Sequence, residues 1–182
     1  MLAGACDVRA LDLPGHGLRR AEPFDLERAI DELVRETIVA SSSRRVYLAG
    51  DSLGGYLGLA VAARTGAAVS GVIAGSCTYP MRGAWASLAR ASLAAGVVTA
   101  TWPFVALTRL ATTRDVGDAI VARGFAPAMR GVTLRALLGR DVLADVRAIA
   151  APVVFVDGAF DFPIALFARV FARVVRAVLA GA

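Results

Sequence analysis

The chain has 182 residues, 57% of them hydrophobic and 19% charged, and its formal net charge of +5 rests on 20 arginines with no lysine. That length suits one domain with an inserted subdomain, and such a composition excludes disorder. Arginines scattered singly or in pairs (Arg19-Arg20, Arg44-Arg45) describe a solvated surface instead of a nucleic-acid patch, and two cysteines, Cys6 and Cys77, fit a reducing cytoplasm better than a disulfide scaffold.

Met1 to Asp7 lacks a basic region followed by an apolar run, so no signal peptide is expected. Val8 to Leu13 alternates and stops at Pro14-Gly15-His16-Gly17, which predicts a strand entering a tight loop. Pro23 and Asp25 then open a helix. Leu26, Ala29, Ile30, Leu33, Val34, Thr37 and Ile38 recur at three-and-four spacing, which predicts one apolar face packed on a sheet. After Ser41-Ser42-Ser43, Arg45 to Ala49 reads as a short strand buried on both faces, as in a parallel sheet. Gly50-Asp51-Ser52-Leu53-Gly54-Gly55 follows at once, and Leu53 to Arg64 reads as a helix whose Gly54 and Gly58 form a seam for close approach to the sheet.

Val69 to Ala74 is another buried strand, ending at Gly75-Ser76-Cys77, and Ala151 to Val156 is a further one, ending at Asp157-Gly158. Strands alternating with helices imply a parallel sheet, hence an α/β fold. Between these two strands, Tyr79 to Ile149 carries no strand pattern and reads as helical, with breaks near Pro103, Gly117, Pro127 and Gly131. The domain plan is a core over 1–78, an inserted helical cap over 79–149 and the rest of the core over 150–182. Ala91 to Thr108 is uncharged and just long enough to span a membrane, but Gly96, Pro103 and several hydroxyl residues interrupt it, so a buried helix pair is expected and no membrane span. The last segment, Pro163 to Ala182, places Ile164, Phe167, Val170, Phe171, Val174 and Leu179 on one helical stripe.

Strand, Gly-x-Ser-x-Gly turn and helix in that order form a chemical signal that the five residues alone would not. A sharp turn lifts a serine oxygen clear of the sheet, and the glycines leave room for strained backbone and close packing. The helix behind it aims its first amides at the same point. Ser52 is therefore the candidate nucleophile, and the Leu53 amide the candidate oxyanion donor, a contact typically worth about 3 kcal/mol of barrier. A serine nucleophile also requires a base to take its proton and an acid to orient that base.

Leu11 to Gly17, Val46 to Ala60 and Pro152 to Asp161 together resemble, in order, three motifs of the α/β-hydrolase superfamily: the loop after its fourth strand, its nucleophile elbow after the fifth, and its seventh strand with the acid loop. The resemblance covers nearly the whole chain and implies a partial α/β-hydrolase fold with a helical cap. It makes Asp161, three residues after Gly158, the triad acid ahead of Asp157. A serine at the elbow excludes the relatives that place aspartate there, such as haloalkane dehalogenases and epoxide hydrolases, and leaves acyl transfer as the leading chemistry. Asp51, just before the nucleophile, reads as a local hydrogen-bonding residue.

The same resemblance marks what is missing. His16 is the only histidine, and it lies in the loop after the fourth strand and not where the family keeps its base. The 21 residues that follow Asp161 are taken up by the final helix, so the eighth strand and the triad histidine are expected to lie outside this sequence, as are strands one to three with the His-Gly loop that gives the second oxyanion amide. Since removal of a triad histidine costs roughly a millionfold in turnover, little or no hydrolase activity is expected of this chain alone.

Two functions compete: a serine hydrolase of small apolar esters, thioesters or related acyl compounds, and a non-catalytic relative that binds a hydrophobic ligand or a partner protein. Acyltransfer, carbon-carbon bond hydrolysis and cofactor-free haloperoxidation use the same elbow. Tyr79, Met81, Trp85, Trp102, Phe104, Phe125 and Met129 are candidates to line an apolar pocket, and equally candidates for core packing. No metal cluster, dinucleotide fingerprint or phosphate loop appears, so no cofactor is expected.

Overall fold

A computed structural model describes residues 6–78, 81–96 and 127–157. Its centre is a three-stranded parallel sheet in the order β1 (Tyr47–Asp51), β2 (Gly71–Gly75), β3 (Val153–Val156). Tyr47 pairs with Gly71 and Asp51 with Gly75; Val72 pairs with Val153 and Gly75 with Val156, so all three strands end level at their carboxyl side.

Helix α1 (Leu26–Ser41) starts as its sequence dictates: the Asp25 carboxylate accepts a hydrogen bond from the Arg28 amide at 2.8 Å and caps the first turn. Its buried face is Ala29, Ile30 and Thr37, and its packing partner is α2 (Leu53–Thr65) more than the sheet: Ala29 and Ile30 cluster with Leu57, Ala60 and Val61, flanked by Leu13, Leu33 and Leu48. Ile38, expected on that stripe, is 52% exposed, because the contact with α2 ends a turn earlier. Ion pairs fasten the helices outside this cluster. Arg64 of α2 holds Glu27 and Asp31 of α1, and Arg140 spans from Glu27 to Asp145 at 3.1 and 2.8 Å.

Helix α3 (Gly83–Ala94) leads away from the sheet and stops before Gly96, which has φ +70°. The uncharged run that begins at Ala91 is thus broken after four helical residues, and no described helix is long and apolar enough to cross a membrane. Helix α4 (Pro127–Leu137) corrects two expected breaks. Proline opens it, where no amide donor is needed, and it passes through Gly131 without interruption. Helix α5 (Val142–Ala148) is capped by Asp141 and lies on α2. Leu137, Val142 and Val146 are buried with Leu59, Val69, Val72 and Ala74, so this part of the chain joins the main core directly.

Two further expectations are overturned. Val8 to Leu13 is not a strand: it has no ladder partner among the described residues, and Val8 and Leu11 are 61% and 51% exposed. Alternation supplies the side-chain pattern of a strand, but only a paired neighbour supplies its hydrogen bonds. The segment is held at its ends instead, by the Asp7–Arg44 ion pair at 2.5 Å and by Asp12, which accepts the Leu18 amide at 2.9 Å. The strands are also not buried on both faces. α2 covers one face, whereas Tyr47, Ile73, Val154 and Val156 on the other are about half exposed, because no described helix lies over them.

Candidate active site

β1 runs straight into α2 through a single residue. Ser52 has φ +51° and ψ −113°, a combination outside the regions open to L-residues at low cost, which costs on the order of 1–3 kcal/mol wherever it is held. Two hydrogen bonds hold it: the Ser52 amide donates to the Gly75 carbonyl at 2.8 Å, and the Ser52 carbonyl accepts the Tyr56 amide at 3.2 Å, starting α2. The Leu53 and Gly54 amides precede that first helical bond and belong to the open N-terminal turn, which carries no acidic residue to occupy it. Ser52 itself is exposed at the carboxyl end of the sheet.

The glycines divide this work unevenly. A Cβ on Gly50 would collide with the carbonyl group of Gly54, so Gly50 is what lets the strand and the returning helix cross. A Cβ on Gly54 would meet open space. The close approach to the sheet belongs to Gly55, where a Cβ would stand 2.7 Å from Cys77 Sγ and 3.0 Å from the Gly75 carbonyl oxygen; Gly58, expected in that role, is at ordinary contact distance from Val72 and Leu48.

β2 ends in a second unusual turn. Ser76 has φ +47°, and its amide donates to the Val156 carbonyl at 2.9 Å. Cys77 is fully buried beneath Gly55, and its thiol is pushed up to about 12, first by burial and then by the carboxylates of Asp157 and Asp51. It is a packed thiol and not a nucleophile at neutral pH. Neither cysteine forms a disulfide. Thr78, also buried, donates its hydroxyl to Asp157 Oδ1 at 3.3 Å. Thr78 was not among the sequence candidates; a lone threonine after a strand offers no pattern by which to find it.

Ser52, Leu53, Asp51 and Asp157 therefore share the carboxyl end of one sheet, while Asp161 lies outside the described residues. Asp51 lies across β2, its Oδ1 2.9 Å from where a Gly75 Cβ would be. The chain matches the family model described as Alpha/beta hydrolase family over residues 1–181. The chain belongs to the alpha/beta hydrolase family. No curated protein and no solved structure matched it. The partial α/β fold expected from the sequence stands with that membership: a parallel sheet flanked by helices, with the turn after β1 shaped as the hydrolase elbow.

His16 is engaged elsewhere. Its Nδ1 donates to the Pro14 carbonyl at 3.0 Å, its ring meets Phe24 edge-on at 6.0 Å, and no described hydrogen bond joins it to Ser52. The loop that carries it is built tightly: Pro14 is buried, Gly15 and Gly17 have φ of +79° and +53°, and a Cβ on Gly15 would run into Met129 of α4. Of the candidate pocket residues, Met81 is buried in the main core and Met129 covers Gly15; Tyr79, Trp102, Phe104 and Phe125 lie outside the described residues, as does the side chain of Trp85. The described residues contain no group of three or more metal-ligating side chains.

Proposed function

We propose that the chain carries the nucleophile half of a serine hydrolase that transfers apolar acyl groups from esters, thioesters or related compounds through an acyl-enzyme at Ser52. The observation that carries this reading is the backbone of Ser52: an exposed serine in a costly positive-φ conformation, held between β2 and the open amides of α2. Strain of that kind persists only where the surroundings impose it, and here it places a hydroxyl beside ready-made oxyanion donors.

In the step so assigned, Ser52 Oγ attacks the acyl carbon and loses its proton to a base. The Leu53 amide receives the developing oxyanion, and the acyl–oxygen or acyl–sulfur bond breaks to release the leaving group. Asp161 is the acid by its place in the family motif. Residues 79–149 form the cap that covers an apolar substrate, tied to the core where α5 packs on α2. The base is not His16, whose Nδ1 and ring face are committed to Pro14 and Phe24. Turnover by this chain alone is accordingly weak, and the chemistry open to it is slow acylation.

The test is incubation with p-nitrophenyl acetate and mass spectrometry of the peptide containing Ser52. The chain has no lysine, which keeps background acylation low. Acetyl on Ser52, absent in Ser52→Ala and unchanged in His16→Gln, is the expected result. A chain that never acetylates at Ser52 supports the second reading, a non-catalytic binder of a hydrophobic ligand, which the engagement of its one histidine favours.

A further inference from the structure

Three residues stand in one row across the sheet end. The register sets Asp51 beside Gly75 and Gly75 beside Val156, so the next residue of each strand gives Ser52, Ser76 and Asp157 in line. Two hydrogen bonds continue the ladder through that row, from the Ser52 amide to the Gly75 carbonyl at 2.8 Å and from the Ser76 amide to the Val156 carbonyl at 2.9 Å. Ser52 and Asp157 are therefore two strand spacings apart, on the order of 10 Å between backbones. A gap of that size suits one planar ring hydrogen-bonded at both ends by side chains that lean towards each other.

Asp157 does lean that way. Its carboxylate accepts the hydroxyl of Thr78, which follows β2, and it acts on the buried Cys77 thiol of the same turn, as does Asp51 from the far side. The Asp157 side chain thus points across the end of β2 towards Ser52 and not away from the sheet. Thr78 is 1% exposed, so the group that holds the carboxylate is anchored in the core and not on a mobile surface. A carboxylate held in this way, near a second carboxylate and a serine, faces a position that favours a cation.

We propose that Thr78 and Asp157 are positioning residues of the hydrolase site, with Asp157 serving, beside Asp161, as a carboxylate that orients and charge-stabilises the imidazolium formed when a base takes the Ser52 proton. The inference rests on the reading of Ser52 as nucleophile. It assigns the second of the two candidate carboxylates to the site, and the buried threonine to that carboxylate.

Imidazole added in solution supplies the ring that the chain lacks. In the full chain, p-nitrophenyl acetate transfers its acetyl group to Ser52 Oγ, the Ser52 proton passes to imidazole and p-nitrophenolate leaves; mass spectrometry reads acetyl-Ser52 with and without imidazole. The expected result is a saturable acceleration by imidazole. Asp157→Asn lowers the imidazole-dependent rate about tenfold, a larger factor than its effect on the imidazole-free rate, as removal of a charge-assisted hydrogen bond requires. Thr78→Val moves the same ratio in the same direction, and Thr78→Ser, which keeps the hydroxyl, restores it. Equal loss of both rates, or an undiminished acceleration in Asp157→Asn while Asp161→Asn abolishes it, overturns the inference and leaves the nucleophile in place. No acetyl-Ser52 in the unmutated chain under either condition overturns both. Circular dichroism of each variant confirms that the rates are compared between folded proteins.

Discussion

Replacing each elbow glycine by alanine separates the geometric demand of the turn from its sequence pattern. At Gly50 the added methyl group would overlap the backbone carbonyl of Gly54, an atom that cannot swing aside as a side-chain end would. Overpacking of this kind costs about 1–3 kcal/mol, and the usual gain from removing a glycine, about 0.4–1 kcal/mol, does not offset it. For a chain of this size each kcal/mol moves the midpoint by roughly 2–4 °C, so Gly50→Ala is expected to melt several degrees below the parent. The strain also falls on the residues that place Ser52. A displacement near 1 Å costs on the order of 10²-fold in rate, so acetylation of Ser52 should fall further than stability does. At Gly54 the methyl group meets nothing, and the residue is helical; Gly54→Ala should hold its melting temperature or raise it by up to about 1 kcal/mol of stability. Thermal unfolding followed by circular dichroism measures both variants. Equal destabilisation of the two, or a Gly50→Ala variant that melts with the parent, would refute the assignment of the crossing point to Gly50.

Ser76→Val should destabilise the chain by about 1–3 kcal/mol, since a β-branched residue tolerates φ +47° poorly, while Ser76→Gly stays near the parent in thermal unfolding. Iodoacetamide at pH 8 should modify exposed Cys6 and leave buried Cys77 unmodified until the chain unfolds, as peptide mapping before and after denaturant would show; labelling of Cys77 in the folded chain contradicts its burial. Glu32 is drawn down from its ordinary 4.5 to about 2, first by the Arg19 hydrogen bond and then by that of Arg28. Its folded value lies below its unfolded one, so its stabilising share is complete above about pH 4.5 and is lost as the pH falls towards 2. Melting at pH 5 and pH 2.5 should therefore differ less in Glu32→Gln than in the parent, and an identical difference in the two would show that the pair contributes nothing.

Local rules made much of this legible. Asp25 as a cap, the apolar spacing of Ala29, Ile30 and Leu33, and the order of strand, elbow and helix around Ser52 each follow from interactions between near neighbours in the chain, and each is present in the structure. What misled were features that depend on a distant partner. Val8 to Leu13 has the alternation of a strand, yet pairing is a property of two segments and its partner is not among the described residues. Gly54 fits the motif by spacing, but the tight contact falls at Gly55, because Cys77 and Gly75 arrive there from another strand. Thr78 was invisible for the same reason: its significance comes from Asp157, 79 residues away.

The two strained serines are one arrangement and not two coincidences. Ser52 follows β1 and Ser76 follows β2 at the same level, and the ladder bonds continue past both ends, to Gly75 from Ser52 and to Val156 from Ser76. A positive φ at each residue turns the chain out of the sheet while its amide is still committed to the neighbouring strand. The cost of each turn is met by hydrogen bonds that are buried against, or continuous with, the parallel ladder, so neither turn relaxes without breaking a rung. Beneath them, Cys77 closes the space left by Gly55, and Thr78 fixes the carboxylate beyond. The exposed hydroxyl of Ser52 is therefore supported by rigid elements on three sides: the strand before it, the helix after it and the turn of β2 beside it. Preorganisation of this kind is what a nucleophile needs and what a purely structural serine does not explain.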